Sequence, residues 1–171
     1  MSPDEPVEIT DYDPHSEGRF RAERDRLRIG LATASLKFEH IGSTAVPGLA
    51  GRPIVDLMLG APPASWAALD ELRPRIVALG YEDLGDAGVP GRVCFRRRTK
   101  LRAFDVVLVE EGGAQWRDNL ALRDYLRAHP EEAAAYGEAK RAAVAGGART
   151  LLAYSEAKRR AMATLVDKAL K

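Results

Sequence analysis

The most informative segment of the sequence is His40-Ile41-Gly42-Ser43-Thr44-Ala45-Val46-Pro47-Gly48-Leu49. An apolar strand ends here in a glycine, and a residue without Cβ lets the backbone approach a ligand closely. The Ser43 and Thr44 hydroxyls, with the backbone N–H groups that follow, can hold a phosphate. The alternative is a capped strand-to-helix turn that binds no ligand, and the short motif alone favours that alternative.

Two later segments each place one carboxylate inside an apolar strand. They are Pro53-Ile54-Val55-Asp56-Leu57-Met58-Leu59 and Ala103-Phe104-Asp105-Val106-Val107-Leu108-Val109. A carboxylate in such a strand is costly unless it has a partner. Two of them facing one phosphate-binding turn can hold Mg²⁺, which takes one or two carboxylates plus phosphate oxygens. The alternative for each aspartate is a strand-edge position paired with an arginine.

The hydrophobic spacing predicts an α+β fold, a mixed β-sheet with flanking helices and a helical C-terminal half. We predict an extended segment at residues 7–9, helices over 15–34 and 65–79, and strands over 38–41, 54–59, 81–84, 92–96 and 104–109. Residues 116–171 are predicted to form three helices, divided near His129-Pro130 and Gly146-Gly147. We expect one domain over residues 1–171, rich in strands over 7–113 and helical over 116–171.

Composition excludes several classes of protein. The 171 residues are 46% apolar and 30% charged with a net charge of +1, which gives no overall attraction to nucleic acid or to a membrane surface. The single cysteine, Cys94, cannot form an internal disulfide and has no metal-ligand spacing around it. Neither a signal peptide nor an apolar run near the ~18 residues of a membrane span is present. We therefore expect a cytoplasmic protein with no membrane partner.

Basic residues supply candidate phosphate contacts. Arg52 follows the turn, and its guanidinium suits a bidentate phosphate contact. Arg96 and Arg98 belong to the densest basic stretch, which contains Arg92, Arg96, Arg97, Arg98, Lys100 and Arg102. This stretch can clamp a triphosphate or an RNA backbone, although the few neighbouring aromatics leave single-stranded RNA recognition unsupported. The alternative is a charged edge strand that resists aggregation.

Other polar residues have two interpretations each. His40 can contact a phosphate or orient a carboxylate, or it can be a strand-end histidine with a satisfied hydrogen bond. Arg123, Arg127 and Lys140 can add positive charge to the site. The interpretation favoured for these three is a salt-bridged surface that includes Asp124 and Glu131.

The segment from His40 to Leu49, followed by Arg52-Pro53-Ile54-Val55-Asp56, resembles the GrpB-like family of the nucleotidyltransferase superfamily. The resemblance extends through Trp116, Leu122-Arg123-Asp124-Tyr125-Leu126-Arg127, Tyr136, Lys140, Tyr154 and Lys158. It implies that Gly42 and Ser43 form the nucleotide turn, with His40, Thr44, Arg52, Arg96 and Arg98 as further nucleotide-binding candidates. It also implies that Asp56 is the first metal carboxylate and Asp105 the third.

The sequence departs from the superfamily pattern at two places. Met58 occupies the position of the second carboxylate, and a thioether does not suit Mg²⁺, a hard ion that prefers oxygen. Asp105-Val106-Val107 stands where GrpB-like proteins often carry His-x-His. The first departure is shared with the family, whereas the second moves this chain towards the general superfamily arrangement.

The resemblance implies a Mg²⁺-dependent nucleotidyltransferase that moves a nucleoside monophosphate from a nucleoside triphosphate to a hydroxyl or amine acceptor. In that mechanism the residues act by positioning and electrostatics. The alternative is a catalytically inactive nucleotide- or partner-binding module of the same fold. Met58 favours this alternative, and Asp105 favours the enzyme.

Overall fold

A computed structural model of the protein describes residues 6–33, 35–66 and 69–171. The elements in chain order are helix α1 (Ser16–Leu31), strand β1 (Lys37–Ile41), a 3-10 turn (Ser43–Ala45), strand β2 (Val55–Ala61), helices α2 (Pro63–Trp66) and α3 (Leu69–Ala78), strands β3 (Glu82–Asp83), β4 (Arg92–Arg98) and β5 (Ala103–Glu110), and helices α4 (Ala114–Ala128), α5 (Pro130–Ala145) and α6 (Leu151–Ala169). None of the helices in these described ranges is both long and apolar enough to cross a bilayer.

The five strands form one mixed sheet in the order β1-β2-β5-β4-β3. Strands β2 and β5 are parallel, and the other neighbouring pairs are antiparallel. Because parallel strands start at the same edge of a sheet, the two strand aspartates become direct neighbours, with Asp56 opposite Asp105. Strand β1 pairs Ile41 with Asp56 on the other side, so the turn after β1 arrives beside the same carboxylates.

Alternation along the strands divides the sheet between two cores. On one face Val55, Leu57 and Leu59 of β2 pack in the main core, together with residues of α1 and α3. On the other face Met58 is fully buried with Ile41 and Val109, and Trp116 of α4 packs against this cluster. Since side chains in a strand alternate, Asp56 shares the face of Met58.

The C-terminal helices close over the segment that follows the turn. Leu126 of α4, Tyr136 of α5 and Leu165 of α6 form one apolar cluster with Val46 and Leu49. The N-terminal segment is tied to the same half, since Pro6 bridges Thr150 and Thr10 bridges Gly51. As a result of this packing, α5 and α6 lie beside the edge of the sheet that holds the 3-10 turn after β1.

The predicted fold class is confirmed, because the sheet is mixed, helices flank it, and the last part of the chain is helical. The helix predicted over 65–79 corresponds to α2 and α3, with α2 beginning at Pro63; residues 67–68 lie outside the described ranges. The strand predicted at 81–84 is reduced to β3 because it is bounded by Gly80 and Gly85, whose φ angles of 87° and 64° turn the chain out of extended geometry.

Candidate functional site

The turn after β1 is built around a glycine in the left-handed region. Gly42 has φ of 72°, and the 3-10 turn begins at the next residue, Ser43. A Cβ at position 42 would lie 2.2 Å from Oδ2 of Asp56, well inside van der Waals contact. Glycine is therefore required by the backbone angle and by the space, and it places the turn directly against the Asp56 carboxylate.

Both strand carboxylates line one cleft between the sheet and the C-terminal helices, with a volume of about 270 Å³. Burial, with the nearby charge of Asp105, raises the pKa of Asp56, while Arg52 acts in the opposite direction. Asp105 accepts a hydrogen bond from Nη1 of Arg98 at 2.8 Å and lies 3.5 Å from Nη2 of Arg52. Within the described ranges, groups of three or more histidine, cysteine, aspartate or glutamate side chains suited to a metal ion are absent.

Cationic side chains outnumber the carboxylates around the cleft. Gly42 and Ser43 line it, and the described residues add six cations to the two aspartates, namely Arg52, Arg92, Arg96, Arg98, Arg123 and Lys158. All three predicted arginine contacts, Arg52, Arg96 and Arg98, are in this group. Burial lowers the pKa of Lys158 to about 8, and the charge of Arg52 contributes. An excess of positive charge in a partly enclosed cleft favours an anionic ligand.

Lys140 has a different position from the one favoured by the sequence. Only 1% of its surface is exposed, and its Nζ donates to Oγ of Ser43 at 2.6 Å, so it is not a salt-bridged surface residue. Burial, followed by the charge of Lys158, lowers the pKa of Lys140 to about 7. Its ammonium lies 4.5 Å from the ring centroid of Tyr136, and Lys158 lies 4.9 Å from that of Tyr154. The i,i+4 spacing of these two tyrosine–lysine pairs indicates from the sequence that each lysine lies beside an aromatic ring, but it does not show that either lysine is buried.

His40 and Thr44 turn their side chains away from this cleft. Nδ1 of His40 lies 3.0 Å from Oε2 of Glu17, and Nε2 lies 3.0 Å from Oγ1 of Thr44. The His40 ring is 4% exposed and stacks on Phe20. Neither residue lines the cleft, and the ring nitrogens of His40 are taken up by Glu17 and Thr44. This geometry matches the alternative of a strand-end histidine with satisfied hydrogen bonds.

The arginines of β4 divide between the two faces of the sheet. Arg96 and Arg98 face the cleft, whereas Arg97 lies on the opposite face and pairs with the buried Glu23 at 3.1 Å. Strand β4 lies between β5 and β3. The interpretation of this stretch as a charged edge strand is therefore wrong where β3 covers it, and only alternate arginines serve the cleft.

Replacing Gly42 by alanine is expected to weaken ligand binding in the cleft much more than it weakens the fold. With ψ of −170° beside its positive φ, this backbone conformation is essentially confined to glycine and costs about 1–3 kcal/mol for other residues. The new Cβ must also push the Asp56 carboxylate aside. Gly48→Ala is the matched control, since its φ is 81° but nothing lies within 4 Å of the added Cβ. Thermal unfolding and nucleotide titration of both variants check this expectation. Equal losses of nucleotide affinity in the two variants would contradict it.

Comparison with known proteins places this geometry in a family. The sequence profile of the family described as "GrpB protein" matches residues 6–168. The UPF0157 protein YqkA of Bacillus subtilis is 32% identical over 141 residues, 82% of this chain, and the chain spans 40% of the length of YqkA.

Solved structures agree with this placement. The crystal structure of the conserved protein GrpB from Enterococcus faecalis superposes with a TM-score of 0.83 at 28% identity, covering 95% of this chain and 97% of that one. The Cid1 poly(U) polymerase, in a structure with Mg and 3'-dATP bound, superposes with a TM-score of 0.50 at 14% identity, covering 86% of this chain and 49% of that one. At that identity the likeness concerns the fold alone, which is nucleotidyltransferase-like. The chain belongs to the GrpB protein family.

Proposed function

We propose that the cleft binds a nucleoside triphosphate with Mg²⁺ and transfers its nucleoside monophosphate to a hydroxyl or amine of an acceptor. One observation carries this proposal. Two neighbouring strand carboxylates, Asp56 and Asp105, lie beside a Gly-Ser turn in a cleft whose other charged lining residues are cationic. A nucleoside triphosphate with Mg²⁺ suits both groups of side chains, because its phosphates attract the cationic residues and its metal ion attracts the two carboxylates.

The donor set fits one Mg²⁺ ion. Asp56 and Asp105 offer the hard oxygen ligands that Mg²⁺ prefers. A bound cation would offset the burial and the charge of Asp105 that raise the pKa of Asp56. Two carboxylates are fewer oxygen ligands than Mg²⁺ takes, so phosphate oxygens and water would have to supply the others. When bound, the ion neutralises charge that builds up as pyrophosphate leaves. Met58 stands at the position of the second superfamily carboxylate and is buried in an apolar cluster, so this position supplies no metal ligand.

The protein groups bind and orient the triphosphate. Ser43 and the adjacent backbone N–H groups would hold the terminal phosphates, with Lys140 orienting the Ser43 hydroxyl. Asp105 is paired with Arg98 and Arg52. Binding therefore requires these two guanidiniums to exchange a carboxylate for phosphate oxygens, which they can contact in the same bidentate way.

A second function, nucleotide binding without transfer, is favoured by a specific observation. The arginine partners of Asp105 compete with a metal ion, and Met58 removes one of the three superfamily carboxylates. Release of pyrophosphate separates the two proposals. A cleft that binds Mg²⁺ and nucleotide but releases no pyrophosphate with any hydroxyl or amine acceptor supports the binding module. The few aromatic residues in the basic hairpin favour a small acceptor over single-stranded RNA.

Replacing Arg52 by methionine is the direct test of nucleotide binding. A charge-assisted hydrogen bond contributes about 1.5–3 kcal/mol, so nucleoside triphosphate affinity should fall by roughly 10- to 100-fold. Calorimetric titration with ATP and Mg²⁺ measures this loss. Arg159→Met is the matched control, because Arg159 on α6 is exposed and paired with Glu156. Unchanged affinity in Arg52→Met, or the same loss in both variants, would rule out the assigned cleft.

A further inference from the structure

A second cavity adjoins the nucleotide cleft and shares Ser43 and Arg52 with it. Its volume is about 300 Å³, and Thr44 and Arg19 line it as well. Apolar side chains complete much of the remaining lining, namely Leu49, Pro53, Val55, Leu101 and Phe104. The proposed nucleotide function uses neither this cavity nor the hydroxyl of Thr44.

The Thr44 hydroxyl belongs to a chain of three polar groups. His40 Nε2 lies 3.0 Å from Oγ1 of Thr44, and its Nδ1 lies 3.0 Å from Oε2 of Glu17. The imidazole is held in place by Phe20, whose ring centroid is 4.6 Å away with an interplanar angle of 4°. A hydroxyl, an imidazole and a carboxylate in this order are the groups of an activated nucleophile.

The protonation states can be assigned from the partners. Burial acts to raise the pKa of Glu17, but hydrogen bonds from His40 and Arg21 hold it below its usual value, so Glu17 is a carboxylate that only accepts. His40 must therefore donate through Nδ1. Burial lowers the pKa of His40, with Glu17 opposing and the charges of Arg127 and Arg123 assisting. A neutral ring then has an unprotonated Nε2, which accepts the hydroxyl proton of Thr44 and is ready to remove it.

We propose that Thr44, His40 and Glu17 form a second catalytic centre, which cleaves carboxylic esters bound in the adjoining cavity. Oγ1 of Thr44 attacks the ester carbonyl carbon while its proton passes to Nε2 of His40. The bond from that carbon to the alkoxy oxygen then breaks, and His40 returns the proton to the departing alcohol. Water repeats the sequence on the acyl-threonine, releasing the carboxylic acid and restoring the Thr44 hydroxyl.

The cavity supplies the remaining requirements for this chemistry. Arg19, Arg52 and Arg102 line it together with Asp11 and Asp13, and Arg19 pairs with Asp13 at 2.7 Å. Arg52 and Arg102 are therefore the groups that bring positive charge towards the carbonyl oxygen, which becomes negative in the tetrahedral intermediate. The apolar side chains of the lining can hold the acyl group. Glu17 does not reach the ester and is a positioning residue, since it acts only through His40.

The test uses p-nitrophenyl acetate and a fluorophosphonate probe with the whole protein, followed by mass spectrometry to locate the modified residue. The wild type is expected to be modified at Thr44. His40→Gln should slow modification by at least about 100-fold, within the range for a general base. Thr44→Ser should retain modification and Thr44→Val should abolish it. Thr164→Val, on α6, is the matched control and should behave like the wild type.

The pH dependence separates a positioning role of Glu17 from a purely structural one. Since Glu17 raises the pKa of His40, Glu17→Gln should slow the reaction and move the midpoint of its pH–rate profile to lower pH. Far-UV circular dichroism checks that each variant is folded. Valine has nearly the shape of threonine, so Thr44→Val still tests the proposal if His40→Gln does not fold. No modification of the folded wild type, modification at Ser43 instead, or a rate unchanged by Thr44→Val would overturn the proposal.

Discussion

Asp56→Asn is expected to lose the Mg²⁺-dependent part of nucleoside triphosphate binding while the fold stays intact. Asparagine has nearly the shape of aspartate, so the contacts with Gly42 and the strand pairing with Asp105 are kept. It has no negative charge for a cation, and a charge-assisted contact is worth about 1.5–3 kcal/mol. The ratio of ATP affinities with and without Mg²⁺ should therefore fall by at least about tenfold.

Asp56→Asn is also expected to stabilise the fold at alkaline pH, although it weakens Mg²⁺-dependent nucleotide binding. The pKa of Asp56 is raised in the folded protein by burial and by Asp105, so between its unfolded and folded pKa values the native state binds more protons than the unfolded state. Stability then falls as pH rises through that interval. Asp56→Asn removes this loss, so its melting temperature should exceed that of the wild type at pH 8 and match it near pH 4.

Calorimetry with ATP, with and without Mg²⁺, and thermal unfolding across pH measure both effects. Asp167→Asn on α6 is the matched control, since Asp167 is exposed and does not line the cleft. A Mg²⁺-dependent affinity unchanged in Asp56→Asn would sink the metal site and leave nucleotide binding without metal as the better proposal.

Met58→Asp is expected to destabilise the protein by about 3–5 kcal/mol rather than to rebuild a metal site. Met58 is fully buried with Ile41 and Val109, and Trp116 packs over the cluster. A carboxylate there would be ionised without a partner or would have to be protonated at a cost. The same replacement in an open cleft would add a metal ligand, but α4 packs over Met58 and leaves no open cleft at this position.

Chemical denaturation of Met58→Asp and of the control Met58→Leu measures this effect. The control changes the shape of an apolar side chain only and should cost less than about 1.5 kcal/mol. The loss in Met58→Asp should shrink at acidic pH, where the new carboxyl is neutral. A variant with wild-type stability and stronger Mg²⁺ binding would show instead that this position accepts a carboxylate and that its absence limits metal binding in the wild type.

Local patterns in the sequence were enough for the sheet and for the carboxylates. Each apolar run with one aspartate predicted a strand, and the predicted mixed sheet is the arrangement observed. The predicted closeness of Asp56 and Asp105 depends on β2 and β5 being parallel neighbours, and the structure pairs them in that way. For Gly42 the sequence predicted a close approach of the backbone to a ligand, whereas its positive φ and its contact with the Asp56 carboxylate are found only in the structure.

The remaining features depend on contacts between distant parts of the chain. Lys140 is buried because α5 packs on the segment after the turn, and its partner Ser43 lies 97 residues earlier in the chain. A local sequence pattern does not show a contact over that separation. His40 was ambiguous for a similar reason, since its partner Glu17 lies 23 residues earlier on α1. Helix periodicity shows which side of a helix is apolar, but it does not show what that side will meet.

The pairing of Arg97 with Glu23 on the far side of the sheet has a consequence for the charge of the cleft. Glu23 is buried and also accepts hydrogen bonds from Tyr81 and Arg26. Its carboxylate is therefore held in one position, where it favours a cationic β4 residue opposite it. Sliding β4 by one residue along β5 would exchange its two faces. Arg96 and Arg98 would then face the apolar core, and Arg97 would face the cleft. Glu23, which does not line the cleft itself, thus fixes which arginines of β4 do.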